Sequence, residues 1–293
     1  MKTTVSQVDR ITGDRLRDWC CEHTYVPSAA LPHHPGKAFI IFCKTDYVLS
    51  FFAECIKNFS TQYILVTQNS DINIGERLFK RAPPNVYRWF AQNVDYKNPR
   101  LISIPIGSTG ATWIGIEKYA DRKDIHDFVL IKETLAPKKF QNLVYMNFGI
   151  HTNPQHRRPI YEHFKDKPWV TEKACDIPPK DYEKSDGFVS IKDYYQELYN
   201  HKFVISPLGN GVDCGRVWQA IYVGAVPIIP RHINIEFYED LPILVYNDVK
   251  ELTEKYLNEQ YDYLIGKKTN LQKATLSYWK KRFSEEKYNA AQF

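Results

Sequence analysis

The sequence predicts an α/β protein of two doubly wound, Rossmann-like domains. Three observations carry this expectation. Short apolar runs alternate with helix-spaced segments in both halves of the chain. A charged stretch between Ile116 and Lys139 separates the halves. The 293 residues, 43% hydrophobic and 14% aromatic, supply two cores of ordinary size. The domains are expected at 1–135 and 136–274.

In the first half, Lys37 to Cys43 (KAFIIFC) reads as a buried strand that ends at Lys44-Thr45-Asp46. From Tyr47 to Phe59 the apolar residues Val48, Phe51, Phe52, Cys55, Ile56 and Phe59 fall at helical spacing. A second strand, Tyr63 to Val66, ends in the polar run Thr67 to Asp71. A short helix, Glu76 to Arg81, stops at Pro83-Pro84, and strands follow at Val86–Ala91 and Leu101–Ile104. Sheets of this kind bind ligands outside the carboxyl ends of their strands. The polar clusters KTD, TQNSD, AQN and PIGS lie at four such ends, although each by itself is also what a turn requires. The charged stretch from Ile116 to Lys139 reads as an amphipathic helix across the domain junction.

The second half opens with a strand at Leu143–Phe148, followed by a basic loop from Gly149 to Pro159 and a strand at Pro168–Thr171. A helix at Lys192–Asn200 leads into the most informative stretch, Phe203 to Pro230, FVISPLGNGVDCGRVWQAIYVGAVPIIP. This reads as strand Phe203–Ser206, a turn holding Pro207, Gly209 and Gly211, a helix capped by Asp213 and stopped by Gly224, and strand Val226–Ile229. Such a unit aims free backbone N–H groups and the positive end of a helix dipole at one spot, which suits phosphate, and Arg216 adds a fixed charge there. A tight connection within a parallel sheet is the plainer reading of the same glycines. Another strand is expected at Pro242–Tyr246. The segment Thr275–Ala291 places Leu276, Trp279, Phe283 and Tyr288 along an amphipathic helix, and its aromatics argue against a solvent-facing tail.

The string P-x-G-x-G-x-D-x-x-R-x-W-[EQ]-A, with G-x-x-P-[IV]-[IV] after it, resembles the donor-sugar motif of the exostosin-like glycosyltransferases, which have the two-domain GT-B fold. The strings TQNSD, WFAQN and IPIG resemble the acceptor-side domain of the same group, so the resemblance covers both halves. It implies that the C-terminal helix, 275–293, crosses back onto the first domain. It also implies that Ser206, Pro207, Gly209, Asn210, Gly211, Asp213 and Arg216 hold the donor diphosphate. Asn147, Thr152, Asn153 and Arg157 match a family-like N-F-x-x-x-T-N-x-x-x-R pattern, whose arginine would reach the diphosphate with its planar fork; a solvated basic turn is the other reading. Gln219 stands where the family typically has a ribose-binding Glu, so it either holds the ribose without charge assistance or only packs.

The catalytic base is expected from the first domain, at a strand end that faces the cleft. Asp71 comes first. Asp46 comes second and also reads as a cap for the following helix, and Asp95 comes third. A base implies direct displacement, and the resemblance implies inversion at the anomeric carbon. His151 and His156 lack a carboxylate at helical spacing, and the chain has no Asp-x-Asp triplet, so neither a metal nor another cofactor is expected. The expected donor is a UDP-sugar, with UDP-xylose ahead of UDP-galactose and UDP-glucose, and the expected acceptor is a glycan hydroxyl. Within the resemblance, virus-encoded chlorella xylosyltransferases that build N-glycans are similar in size and lack a membrane anchor.

Composition limits the other classes. The net charge of +5, from 39 basic and 34 acidic residues, suits a small anionic ligand and gives little support for nucleic acid. No signal-peptide core and no membrane-length apolar run is present, and the six cysteines are scattered. These features together read as a soluble cytoplasmic protein. No G-x-G-x-x-G follows the first strand, which disfavours a nicotinamide dehydrogenase. A sugar-nucleotide epimerase or hydrolase of the same fold, and an inactive nucleotide-sugar or glycan-binding module, stay open beside the transferase.

Overall fold

The computed structural model describes residues 5–6, 9–108, 135–173, 175–176, 191–266 and 270–292. These form two five-stranded parallel sheets with helices on both faces of each. The helix expected across the domain junction falls largely on 109–134, outside the described residues.

The first sheet contains β1 (His23–Tyr25), β2 (Ala38–Lys44), β3 (Gln62–Gln68), β4 (Val86–Ala91) and β5 (Leu101–Ser103), paired in chain order. Successive side chains along a strand point to opposite faces, and here both faces are buried. On one face Ile41, Cys43, Leu65 and Trp89 pack against Phe51, Phe52 and Cys55 of α2 (Val48–Cys55) and Phe79 of α3 (Glu76–Phe79). On the other, Ile40, Phe42, Ile64, Val66 and Phe90 meet α1 (Gly13–Cys20) and α9 (Leu276–Ala290) through Leu16, Cys20, Trp279 and Phe283. Two buried faces explain why these strands read as near-continuous apolar runs. The sequence of α9 is that of an ordinary amphipathic helix, and Thr275 caps it by accepting from the Tyr278 N–H.

Local limits account for the differences from expectation. The helix expected over Tyr47–Phe59 is α only from Val48 to Cys55, with single 3-10 turns at Thr45–Tyr47 and Ile56–Asn58. The tightened ends leave Ile56 and Phe59 exposed rather than in the core. Helix α1 and strand β1 were not anticipated, because GDRLRDWC is mostly charged and HTY is too short to show a period.

The second sheet contains β6 (Val144–Met146), β7 (Val170–Glu172), β8 (Phe203–Ile205), β9 (Val226–Pro230) and β10 (Leu244–Tyr246), in the order β7-β6-β8-β9-β10. Its helices are α4 (Pro154–Phe164), α5 (Ile191–Asn200), α6 (Gly215–Val223), α7 (Ile233–Glu236) and α8 (Glu254–Gly266). The chain steps outward from β6 to β7 and then returns to the far side of β6 as β8. The direction of winding therefore reverses between β6 and β8, which opens a crevice at their carboxyl ends. Helix α6 stops where expected: Gly224 takes a left-handed φ of 83°, and the following Ala225 N–H returns to Ala220 O.

The two units share a core. Val217, Trp218, Ile221 and Tyr222 of α6 belong to the same apolar cluster as the α1/α9 face of the first sheet. Polar contacts add to it. Ile11 N–H donates to the Tyr222 hydroxyl at 2.9 Å, and Val94 N–H donates to Asn234 Oδ1 at 3.1 Å. No helix of the described residues is long and apolar enough to cross a membrane.

Candidate active site

Between the carboxyl ends of the two sheets lies a cavity of about 350 Å³. Its wall from the second domain comes from the loops after β6 and β8, the two strands that flank the winding reversal. Thr152 comes from the first loop and Arg157 from α4, which follows it; Gly209, Asn210, Gly211, Asp213 and Cys214 come from the second loop and Gly215 from the start of α6. Gly13 and Asp14 at the start of α1, Asn69 and Asp71 after β3, and Ile106, Gly107 and Ser108 after β5 form the opposite wall.

The β8–α6 turn is braced before any ligand arrives. Gly209 N–H donates to Gly211 O at 3.1 Å, and Asn153 Nδ2 donates to Gly209 O at 2.8 Å. Arg157 spans both loops, donating from Nε to Leu208 O at 2.8 Å and from Nη1 to Gly149 O at 2.6 Å. Its guanidinium is buried, and burial followed by the like charge of Arg216 lowers its pKa to about 10. Arg216, in the first turn of α6, sends Nη1 toward Cys214 Sγ at 3.6 Å, while its Nε is buried without an acceptor. Among the described residues neither arginine has a carboxylate within ion-pair reach. Two adjoining cations held without an acidic partner are costly unless an anion joins them.

Asp213 does not cap α6, contrary to the sequence expectation. Cys214 occupies the cap position with extended backbone and no side-chain capping bond, and both it and Gly215, the first residue of α6, line the cavity. The Asp213 carboxylate turns instead to the other domain. Its Oδ2 accepts from Ile106 N–H at 2.7 Å, its Oδ1 accepts from Cys214 N–H at 2.8 Å, and Trp218 Nε1 donates to both oxygens. Burial raises its pKa to about 6, against the opposing pull of those N–H donors. An Asp ahead of a helix reads as a cap, and nothing local reveals a partner 107 residues away in the chain.

The remaining expected residues divide clearly. Asp71 lines the cavity, and its Oδ2 accepts from Nδ2 of Asn210 on the opposite wall at 3.1 Å. Asp46 lies outside the cavity lining, in the turn after β2 beside Lys44 at 3.5 Å. Asp95 also lies outside it and meets His232 Nε2 at 3.3 Å. Asn147 is buried and donates to the Tyr145 hydroxyl at 2.9 Å. Ser206 and Pro207 are buried beneath the turn, with Ser206 Oγ donating to Val204 O at 3.3 Å. Gln219 is buried on α6 with its Oε1 accepting from the Tyr194 hydroxyl at 2.9 Å, away from the cavity lining. His151 and His156 are both exposed, and no group of three His, Cys, Asp or Glu among the described residues could hold a metal ion.

On the first domain's wall, Asn69 and Ser108 come from the strand-end clusters TQNSD and PIGS, whereas sequence reading missed Gly13 and Asp14. The available signal was Thr12-Gly13-Asp14: Thr12 caps α1 by accepting from Arg15 N–H, which fixes Asp14 in the first turn, 3.1 Å from Arg17.

No protein-family model matches this chain, and no curated protein matches it. Among solved structures, one chain from the "Crystal structure of GtfA/B complex" is similar with a TM-score of 0.41 and 11% identity. The match covers 87% of this chain and 57% of that one, so this chain spans just over half of its neighbour's length. At that distance the likeness says nothing of function, and the fold rests on the two sheets themselves.

Proposed function

We propose that the protein is an inverting glycosyltransferase that moves a sugar from a UDP-sugar, xylose first, to a hydroxyl of a glycan acceptor without a metal ion. The observation that carries this reading is Arg157, which lines the cavity without a carboxylate partner beside the uncapped start of α6, with the charge of Arg216 near it but outside the lining, and Asp71 on the facing wall. A diphosphate supplies the missing negative charge at the second domain's wall. The acceptor hydroxyl enters beside Asp71.

In the reaction, the acceptor oxygen attacks the anomeric carbon from the face opposite the diphosphate. The bond from that carbon to the β-phosphate oxygen breaks, and the acceptor proton passes to Asp71. Charge that builds on the departing oxygen is met by the α6 N–H groups and Arg157, which are in place beforehand and need no reorganisation. Asn210 engages one oxygen of Asp71 and leaves the other for the proton. Resemblance to the exostosin-like donor motif supports the nucleotide-sugar part of the reading, and the choice of xylose rests on that resemblance alone.

Asp71→Asn keeps the side-chain shape and removes the base. Transfer should fall by roughly 10²–10⁴-fold, the usual contribution of a general base, while UDP still binds. A variant that transfers sugar at the normal rate would remove Asp71 from that role. Consumption of UDP-sugar by the unaltered protein at the same rate with and without acceptor would favour the hydrolase or epimerase instead.

A further inference from the structure

Asn93 lies outside the cavity lining, yet it joins the two walls. It is fully buried, it follows the end of β4, and it takes a left-handed φ of 57°, a conformation that Asn tolerates better than most residues. Its amide is used at both ends. Oδ1 accepts from the Asp213 N–H at 2.9 Å, on the second domain's turn. Nδ2 donates at 3.0 Å to the carbonyl of Ser70, the residue before Asp71. Gly211 lies so close that a Cβ there would sit 2.5 Å from Asn93 Nδ2. The Asp213 carboxylate ties the same turn to Ile106 N–H, forming a second strut parallel to the first.

We propose that Asn93 is the positioning residue of the cleft, setting the distance between the anion-binding turn and Asp71. This inference rests on the transferase reading above. A direct displacement needs the acceptor oxygen, the anomeric carbon and the leaving oxygen in line, with the base on one wall and the anion site on the other. An error of about 1 Å in that spacing costs on the order of a hundredfold in rate. One amide that donates to one wall and accepts from the other fixes the spacing with two bonds of defined polarity. Asp in its place keeps the acceptor but turns a carboxylate oxygen toward the Ser70 carbonyl, so the two oxygens repel. The anion site is built from Arg157 and the α6 start and does not depend on Asn93 for its charge.

The test uses the full chain, UDP-xylose as donor probe with the other common UDP-sugars behind it, and UDP titration to measure nucleotide affinity. Asn93→Asp should lower kcat by roughly 10–100-fold, with UDP affinity and donor KM within about twofold of the unaltered protein. Asn93→Gly, which removes both bonds, adds no charge and keeps the left-handed backbone accessible, should give the same pattern. Unchanged kcat in both variants overturns the proposal. So does a loss of UDP affinity equal to the loss of kcat, which would make Asn93 part of the anion site. Loss of the cooperative thermal transition in both variants makes Asn93 a structural residue and overturns it as well. If the unaltered protein binds UDP but transfers no sugar to any acceptor, the transferase reading falls first and takes the positioning role with it.

Discussion

The two sheets contain the same number of parallel strands, yet they contribute to the cleft in different ways. The second sheet reverses its winding between β6 and β8, and the loops from those two strands make a crevice with no help from elsewhere. The first sheet runs β1 to β5 in strict chain order. Right-handed crossovers then put all its connecting helices on one face, and its strand ends contribute side chains without a crevice of their own. It therefore depends on other parts of the molecule twice over. Its second face is closed by α1 and by α9 from the far end of the sequence, and its strand ends are held in register by contacts to the β8–α6 turn. One half brings the crevice, and the other brings a wall that has to be held in place.

Substitutions at three positions test that division, beginning with the largest effect. Phe283 is fully buried on α9 and its ring lies 4.7 Å from that of Phe90. Phe283→Ala should cost about 3–5 kcal/mol, read as a lowered urea midpoint. A cost under about 1 kcal/mol would mean that the first sheet is complete without α9. Arg157→Ala should weaken UDP binding by about 1.5–3 kcal/mol, the range for hydrogen bonds to a charged group, in calorimetric titration. Arg157→Lys, which keeps the charge but lacks the fork, should fall between the two. If UDP affinity is unchanged in Arg157→Ala, the guanidinium only braces Leu208 and Gly149 and the crevice loses its claim as the anion site. Thr275→Ala removes the cap of α9 and should cost about 1 kcal/mol of stability with no effect on UDP affinity. A matching drop in affinity would show that the two halves are less separable than the sheets imply.

How much of this was legible in the sequence depends on the range of the contact concerned. Strands β2, β3, β4, β8 and β9 could be read because burial on both faces leaves an unbroken apolar run, and Gly224 could be read because a left-handed helix end selects glycine locally. The turn and helix start of the Pro207–Arg216 stretch were legible for the same reason, since they are contiguous in the sequence. Asp213 was misassigned because its partner is Ile106, and the same distance hid the role of Asn93, which stood out only as the end of the AQN cluster and whose two bonds run to Ser70 and Asp213. Helix α1 escaped notice because only Leu16 and the residues near Cys20 in an otherwise charged segment face the core. Asp46 and Asp71 end similar strands and look alike in sequence, and only the position of the facing domain separates them.

The place of α9 in the first sheet also bears on how the chain is made. A ribosome delivers β1 to β5 early, but the face that carries Ile40, Phe42, Ile64, Val66 and Phe90 must wait for Trp279 and Phe283. All of β6 to β10 emerges in between. The strands of the second domain can thus pair while the first is still half-open, but α6 completes its packing only against the shared core. Contacts that span almost the whole chain are slow to close, and an apolar sheet face left uncovered meanwhile invites aggregation. Synthesis order and folding order run opposite to each other here, and the last fifteen-residue helix, Leu276–Ala290, is what completes the domain begun first.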